Sequence, residues 1–423
     1  MGKKMWIVAC ALSLVLALCS SSHAWPIPDT GQTKCYNNTG EIPCPQPGEP
    51  FYGQDGNYTI NPPSYTKLDA NGNALPDSAT SWVMVRDKVT GLIWENKTSD
   101  GSIHDGSKSF TWCDRNPATN GGNQGTCGTG AGEAATDTEA FIKALNSANF
   151  GGFSDWRLPT VKELRTIVDY GRYKPSINTD YFLNTFPRYW SSTTYVGDTR
   201  IAWTLDFDYG NDLFFYSKLG PNFVRAVRGR QTEDQFVDNG DGTVTDRSTG
   251  LMWQQATAPG KYTWEQALSY CENLTLAGHS DWRLPLINEL ESIVDLTRYN
   301  PAINTTYFPN TVVFFYWSST TYPKYTGDAR SVGSKEGYVG IDPMLGYEEC
   351  CYVRAVRARK SGGAGDLDID GQIDLRDAVL SLQIVVGLSP STVDIDVKAD
   401  VDGDKTIELE EAIYILQKAA GLR

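Results

Sequence analysis

Two short stretches near the end of the chain carry acidic residues at a spacing suited to holding a metal ion. Each is a twelve-residue loop with carboxylates at its first, third, fifth, ninth and twelfth places. The first loop has Asp366, Asp368, Asp370, Asp374 and Asp377, and the second has Asp400, Asp402, Asp404, Glu408 and Glu411. Calcium takes roughly six to eight oxygen ligands, and the seventh residues, Gln372 and Thr406, add a backbone carbonyl to each set. The sequence therefore predicts two calcium sites of the EF-hand type.

An amphipathic helix is predicted after each loop, and each helix ends at a Gly-Leu pair that suits a C-cap. Ile373 and Ile407, at the eighth places, are expected to pair between the loops. This loop-helix unit, present twice over residues 366–422, resembles the type I dockerin domain, which implies calcium binding and a protein partner. Lys405 stands where a glycine is usual, and the tenth and eleventh places lack the Ser-Thr that dockerins often present to a cohesin. A cohesin partner therefore does not follow, and the alternative to a calcium module is a solvated acidic tail.

Most of the chain before these loops is one domain written twice. Residues 154–159, Ser-Asp-Trp-Arg-Leu-Pro, return unchanged at 280–285, and the Tyr-Trp-Ser-Ser-Thr-Thr-Tyr of 189–195 returns at 316–322. Gly-Leu-Ile-Trp returns as Gly-Leu-Met-Trp, and Val-Arg-Ala-Val-Arg closes both copies. A period this long makes each copy a domain and not a solenoid unit.

The repeat divides the chain into successive regions. The predicted order is a signal peptide at 1–24, a Pro-, Gly- and Asn-rich segment at 25–81, the first copy at 82–230, the second copy at 236–360, a Gly-rich linker at 361–365 and the dockerin-like domain at 366–423.

Local patterns in the copies predict both helices and strands. Residues 236–245 alternate around an Asn-Gly-Asp-Gly turn and predict a hairpin rather than a metal loop. Residues 264–274 have helical spacing with Thr263 as N-cap, and residues 160–170 have the same spacing just after Pro159. The Tyr-Trp-Ser-Ser and Val-Arg-Ala-Val-Arg segments alternate like strands.

Two polar motifs in the copies have both a catalytic and a structural interpretation. One is an Asp-x-Arg pair in each copy, Asp155 with Arg157 and Asp281 with Arg283. We expect these pairs to lock a buried turn before a helix, rather than to bind a ligand. The other is a serine pair, at 191–192 and 318–319. No histidine accompanies either serine pair, and only His104 and His279 remain after signal removal, so a Ser–His–Asp site in both copies is excluded.

The four repeated motifs, taken in order, resemble the Lcl C-terminal domain, a family named after a collagen-like adhesin. The resemblance implies a C-type-lectin-like fold, which formylglycine-generating enzymes also use. The fold class is accordingly α+β, with two C-type-lectin-like mixed domains and a small all-α dockerin-like calcium-binding domain. An enzyme of the formylglycine-generating type would need a redox-active cysteine pair, and the only candidates are the adjacent Cys350 and Cys351 of the second copy.

Seven of the nine cysteines remain after removal of the signal, in an oxidising compartment where disulfides are the default. Short separations predict two local disulfides, Cys35–Cys44 and Cys113–Cys127. Cys271 is expected to pair with Cys350 or Cys351, with Cys351 favoured because it lies nearer the closing strand. This pairing would match the lectin pattern that ties the first helix to the last strand.

The N-terminus predicts export. Lys3 and Lys4 precede an apolar run at 5–19, too short for a membrane span, and Ser22-His23-Ala24 offers a cleavage site. The alternatives are an uncleaved anchor or a lipoprotein at Cys19. The mature chain is expected to be secreted, periplasmic or at the cell surface, with no membrane span.

The composition of the chain limits the classes of partner that it is expected to bind. The net charge of −14 argues against nucleic acid and heparin-like polyanions, and the aromatic content suits a carbohydrate-contacting surface. The sequence predicts a non-catalytic, calcium-binding surface or secreted adhesion protein whose partner is a glycan or other surface polymer. Its alternative is a structural component docked into an extracellular assembly by its tail. Duplication would give the first of these avidity.

Overall fold

A computed structural model of the chain describes residues 26–229, 235–344, 350–358, 375–385 and 409–419. The predicted signal peptide lies outside these ranges, as do the first nine residues of each calcium loop.

The described elements mix sheet and helix. The strands before residue 230 are β1 Cys35–Asn37, β2 Gly40–Ile42, β3 Tyr65–Leu68, β4 Met84–Asp87, β5 Ile93–Glu95, β6 Ser109–Thr111, β7 Arg188–Thr194, β8 Ile201–Asp206, β9 Asn211–Ser217, β10 Pro221–Phe223 and β11 Val227–Arg228. The later strands are β12 Phe236–Asp238, β13 Thr243–Asp246, β14 Leu251–Gln254, β15 Phe315–Thr321, β16 Asp328–Gly333, β17 Tyr338–Pro343 and β18 Val356–Ala358. The α-helices are α1 Thr138–Ser147, α2 Val161–Arg165, α3 Trp264–Glu272, α4 Ile287–Ser292, α5 Leu375–Val385 and α6 Leu409–Ala419. The class is α+β, as the sequence predicts.

Both copies are built on the same pair of sheets. A four-stranded antiparallel sheet has the order β11-β5-β4-β3 in the first copy and β18-β14-β13-β12 in the second. Strand β3 comes from the segment before residue 82, so the sheet of the first copy begins earlier than the predicted boundary. Its register is the same in both, since Val227 lies opposite Trp94 and Val356 lies opposite Trp253. The second sheet has the order β6-β10-β7-β8-β9 in the first copy and β15-β16-β17 in the second. The repeated tryptophan and valine motifs are therefore partners across one pair of strands.

The helices follow the predicted caps but not all the predicted lengths. Helix α3 begins after Thr263, whose hydroxyl accepts from the Gln266 N–H in a capping box. Helix α2 ends at Arg165, although residues 160–170 were expected to be helical throughout. The backbone N–H groups of residues 166–168 donate to carbonyls three residues back instead of four. The Thr166 hydroxyl also donates to the Glu163 carbonyl at 2.7 Å. This tightening ends the helix early, while Ile167 and Val168 stay buried.

The two copies share one hydrophobic core. Leu164 and Ile167 from the first copy belong to the same buried cluster as Leu290 and Ile293 from the second. Helix α2 also lies against α4, and strand β9 lies beside β17. Since both copies contribute to this core, each has a fixed position relative to the other.

Candidate functional site

The calcium module is described only in its two helices. Helices α5 and α6 pack against each other, and each begins at the tenth place of its predicted loop. Asp377, the twelfth residue of the first loop, lies buried in the first turn of α5. Its counterpart Glu411 lies in α6.

The remaining predicted ligands lie outside the described residues. They are Asp366, Asp368, Asp370, Gln372, Asp374, Asp400, Asp402, Asp404, Thr406 and Glu408. The donor set is made of hard oxygens throughout, the kind that calcium selects, and the equal helix registers fit two equivalent sites.

The Asp-x-Arg pairs lock turns, as predicted. Arg157 binds Glu163 through two bonds of 2.6 and 2.5 Å, and Arg283 binds Glu289 in the same way. Both glutamates also accept from the N–H of the residue that caps the following helix. These bidentate bonds fix the start of α2 and α4.

The aspartates of these pairs hold the closing strands. Asp155 binds Arg228 at 2.7 Å, and Asp281 binds Arg357 at 2.8 Å. The hydrogen bond from Arg228 holds the pKa of Asp155 below its usual value. The Asp-Trp-Arg-Leu-Pro and Val-Arg-Ala-Val-Arg motifs are therefore joined in both copies.

The repeated serines also bond to the backbone. The Ser191 and Ser318 hydroxyls donate to the carbonyls of Trp203 and Arg330 at 2.7 and 2.8 Å. Asn239 N–H bonds to the Thr243 carbonyl at 3.1 Å, closing the predicted hairpin turn. The serine hydroxyls and the Asn239 backbone therefore have structural roles within the copies.

The cysteines confirm two predicted disulfides and correct one. Cys35–Cys44 and Cys113–Cys127 are bonded as expected. The expected link from Cys271 to Cys350 or Cys351 is wrong, because Cys350 and Cys351 are bonded to each other. Cys271 is a buried free thiol in the same core cluster as Cys351, and burial raises its pKa. The argument for a lectin-like fold from this pairing is lost.

Disulfide bonding also bears on metal binding by cysteine. Among the described residues, two groups bring three metal-ligating side chains together: Cys113, Cys127 and Glu139, and Asp342, Cys350 and Cys351. In both groups the sulfurs are disulfide-bonded, so neither offers a thiolate.

A buried charge cluster between the copies escaped sequence reasoning. The Arg165 guanidinium contacts Asp212 and lies 2.9 Å from Glu291, while Arg330 donates to the Gly210 carbonyl at 3.0 Å. Burial raises the pKa of Glu291 to about 8, against the pull of Arg165. The signal was present in the alignment of the copies, because Arg165 falls opposite Glu291.

The N-terminal segment bonds to both copies, which its composition did not reveal. The Thr30 carbonyl accepts from Tyr170 N–H at 2.7 Å, and the Pro28 carbonyl accepts from the Asn288 amide at 2.9 Å. The Thr320 hydroxyl donates to Asp55 at 2.5 Å. Burial raises the pKa of Asp55 to about 7. Residues 26–62 thus cover part of the second copy and are also anchored to the first copy at Tyr170.

The comparisons with known proteins bear on the two copies. A family model described as the Lcl C-terminal domain matches residues 83–228 and 242–357. No curated protein and no solved structure matches the chain. Within the described ranges, no helix is both long enough and apolar enough to span a membrane.

Proposed function

This chain belongs to the Lcl C-terminal domain family, with two copies of that domain, and we propose that it is an exported, non-catalytic binding protein. The two copies would present binding surfaces of a C-type-lectin-like domain to a glycan or other surface polymer, and the tail would bind two calcium ions. The observation that carries the proposal is the structural use of the repeated polar motifs. Arg157, Arg283 and the repeated serines are all bonded within the fold, which leaves the surface of the copies for recognition.

Calcium binding is proposed from the tail. Six ligand positions recur with the same spacing in both loops, and Asp377 brings a buried carboxylate to the start of α5. Calcium would supply the positive charge that holds about ten carboxylates together on two short loops. Each ion would be bound by the residues at the first, third, fifth, seventh, ninth and twelfth places of its loop.

A second candidate function is docking through the tail. Helices α5 and α6 expose apolar side chains at matching positions, Val379 with Ile413 and Leu382 with Leu416. Exposed apolar surface of this kind is typical of protein interaction sites. A dockerin-like role, in which the tail fixes the chain into an extracellular assembly, is supported by this symmetry.

A glycan array and a protein capture assay separate the two functions. The mature chain is applied to the array in calcium and in chelator, and is also immobilised for capture from native cell envelope. Reproducible glycan signals that survive Leu382→Glu with Leu416→Glu support the surface-binding function. A silent array, with calcium-dependent protein capture that the same double variant abolishes, supports docking instead.

A further inference from the structure

Residues 192–194 of the first copy and 319–321 of the second have the same sequence, Ser-Thr-Thr, and the same local bonds. The Thr193 hydroxyl accepts from Val161 N–H at 3.1 Å, and the Thr320 hydroxyl accepts from Ile287 N–H at 3.0 Å. Since each threonine hydroxyl accepts this hydrogen bond, its O–H group is still able to donate one. The two segments nevertheless differ in exposure, because 319–321 is fully buried and 192–194 is partly exposed.

The difference comes from the N-terminal segment, which covers the Ser-Thr-Thr face of the second copy but bonds to the first copy elsewhere, at Tyr170. The Asp55 side chain accepts a hydrogen bond from the Thr320 hydroxyl at 2.5 Å. The Gln32 side chain accepts from Thr321 N–H at 3.0 Å and donates to its carbonyl at 2.9 Å. The Tyr58 ring lies 5.2 Å from the Arg283 guanidinium carbon, and the Arg283 side chain is only 6% exposed.

In the first copy the corresponding face is open at two of these three places. Arg157 has the same bonds to glutamate as Arg283 but is 35% exposed. Among the described residues, no acceptor takes the proton of the Thr193 hydroxyl. The third place is Thr194, the counterpart of Thr321, and it is covered by the loop that the Cys113–Cys127 disulfide closes. The Thr194 hydroxyl donates to the Asn120 carbonyl of that loop and accepts from the Lys218 ammonium.

We infer that the face around Thr193 and Arg157 is a docking face for a polypeptide segment that seats a carboxylate on Thr193, as Asp55 sits on Thr320. The occupant of the equivalent face is itself polypeptide, and it uses an aspartate where the first copy offers a free hydroxyl proton. Lys162 stands where the second copy has Asn288, and its ammonium donates to the Ser292 carbonyl of the second copy at 3.1 Å. The partner is an acidic segment because it must place a carboxylate on the Thr193 hydroxyl, as Asp55 does on Thr320.

This inference rests on the proposed binding function and identifies the first copy as the one that binds. A ligand for this face meets one open site per chain, because residues 26–62 occupy the other. The avidity expected from duplication therefore does not apply to it.

The test uses the whole mature chain and a labelled peptide of residues 26–62 closed by its own Cys35–Cys44 disulfide. Fluorescence anisotropy in chelator is expected to show saturable binding of one peptide per chain. Thr193→Val should weaken binding about tenfold, the worth of a hydrogen bond to a charged group, while Thr193→Ser should bind like wild type. A peptide with Asp55→Asn should lose a similar factor on the wild-type chain.

Several results would overturn the inference. These are the absence of saturable binding, equal affinity for Thr193→Val and wild type, and equal affinity for the two peptides. Sensitivity to Thr320→Val in place of Thr193→Val would mean that the peptide exchanges into the second copy. Binding of a polyuronate that depends on Thr193, with no peptide binding, would assign the face to acidic polysaccharide. Because chelator keeps the tail free of calcium and no neutral glycan is present, a failure here leaves the glycan-array result unaffected.

Discussion

The matched arginines of the two copies offer a test of how far the N-terminal segment shields the second copy. Arg157→Ala and Arg283→Ala remove the same two bonds to a glutamate that caps the next helix. The surroundings differ, since the arginine side chain is 35% exposed in the first copy and 6% exposed in the second. The comparison therefore isolates the effect of burial on the cost of one deletion.

The expected magnitudes follow from what happens to the orphaned glutamate. In the first copy, water can enter the space that Arg157 leaves and solvate Glu163, so the loss should be about 1–3 kcal/mol, the value of a charged hydrogen bond. In the second copy, residues 26–62 keep water out and leave Glu289 buried and unpaired, which costs about 3–5 kcal/mol. Arg283→Ala should therefore destabilise the chain by about 2 kcal/mol more than Arg157→Ala.

Urea denaturation of the whole mature chain measures both losses. With the slope unchanged, the two midpoints give the difference in unfolding free energy directly. Equal losses, or a larger loss for Arg157→Ala, would refute the claim that the N-terminal segment seals the second copy. A Lys88→Ala variant, at a site away from both ion pairs, serves as the control.

Three further outcomes are expected. Glu291 keeps a proton in the folded chain that the unfolded chain releases, because its pKa is raised to about 8, so stability should fall as pH rises from about 5 to about 8. Glu291→Gln should flatten that decline in urea midpoints, and an unchanged slope would contradict the assignment. Cys271 should resist alkylation until denaturant is added, since it is a buried free thiol, and rapid labelling of the native chain would count against the structure. Lys405→Gly should tighten the second calcium site, because glycine is usual at this place of the loop and would relax the turn there, and identical calorimetric affinities for the variant and the wild type would contradict that reasoning.

Local patterns were enough to predict much of each copy. The N-cap at Thr263 and the buried face of α3 follow from residue type and spacing, and the structure confirms both. The role of Arg157 and Arg283 in fixing a turn was predicted because each arginine follows an aspartate and stands just before the start of a helix. Repetition in both copies strengthened that interpretation, because a fold determinant must recur wherever the fold does.

The contacts between distant segments were not predictable in this way. Nothing near Asp55 in the sequence indicates Thr320, which lies 265 residues away. The disulfide of Cys351 was misassigned because its spacing suited a helix-to-strand link equally well, and only the chain path decides between neighbours. The sequence did carry a signal for the contact between Arg165 and Glu291. These residues occupy equivalent positions of the two copies and have opposite charge types.

Counting the calcium ions on the intact mature chain tests the central claim most directly. Native mass spectrometry after exchange into calcium should show two bound ions per chain, one ion for Asp366→Ala, and none when Asp400→Ala is added. Calcium should also protect α5 and α6 from proteolysis, because the ions hold the loops that precede them. A chain that binds no calcium, or that keeps two ions in the Asp366→Ala variant, would contradict the assignment of the tail.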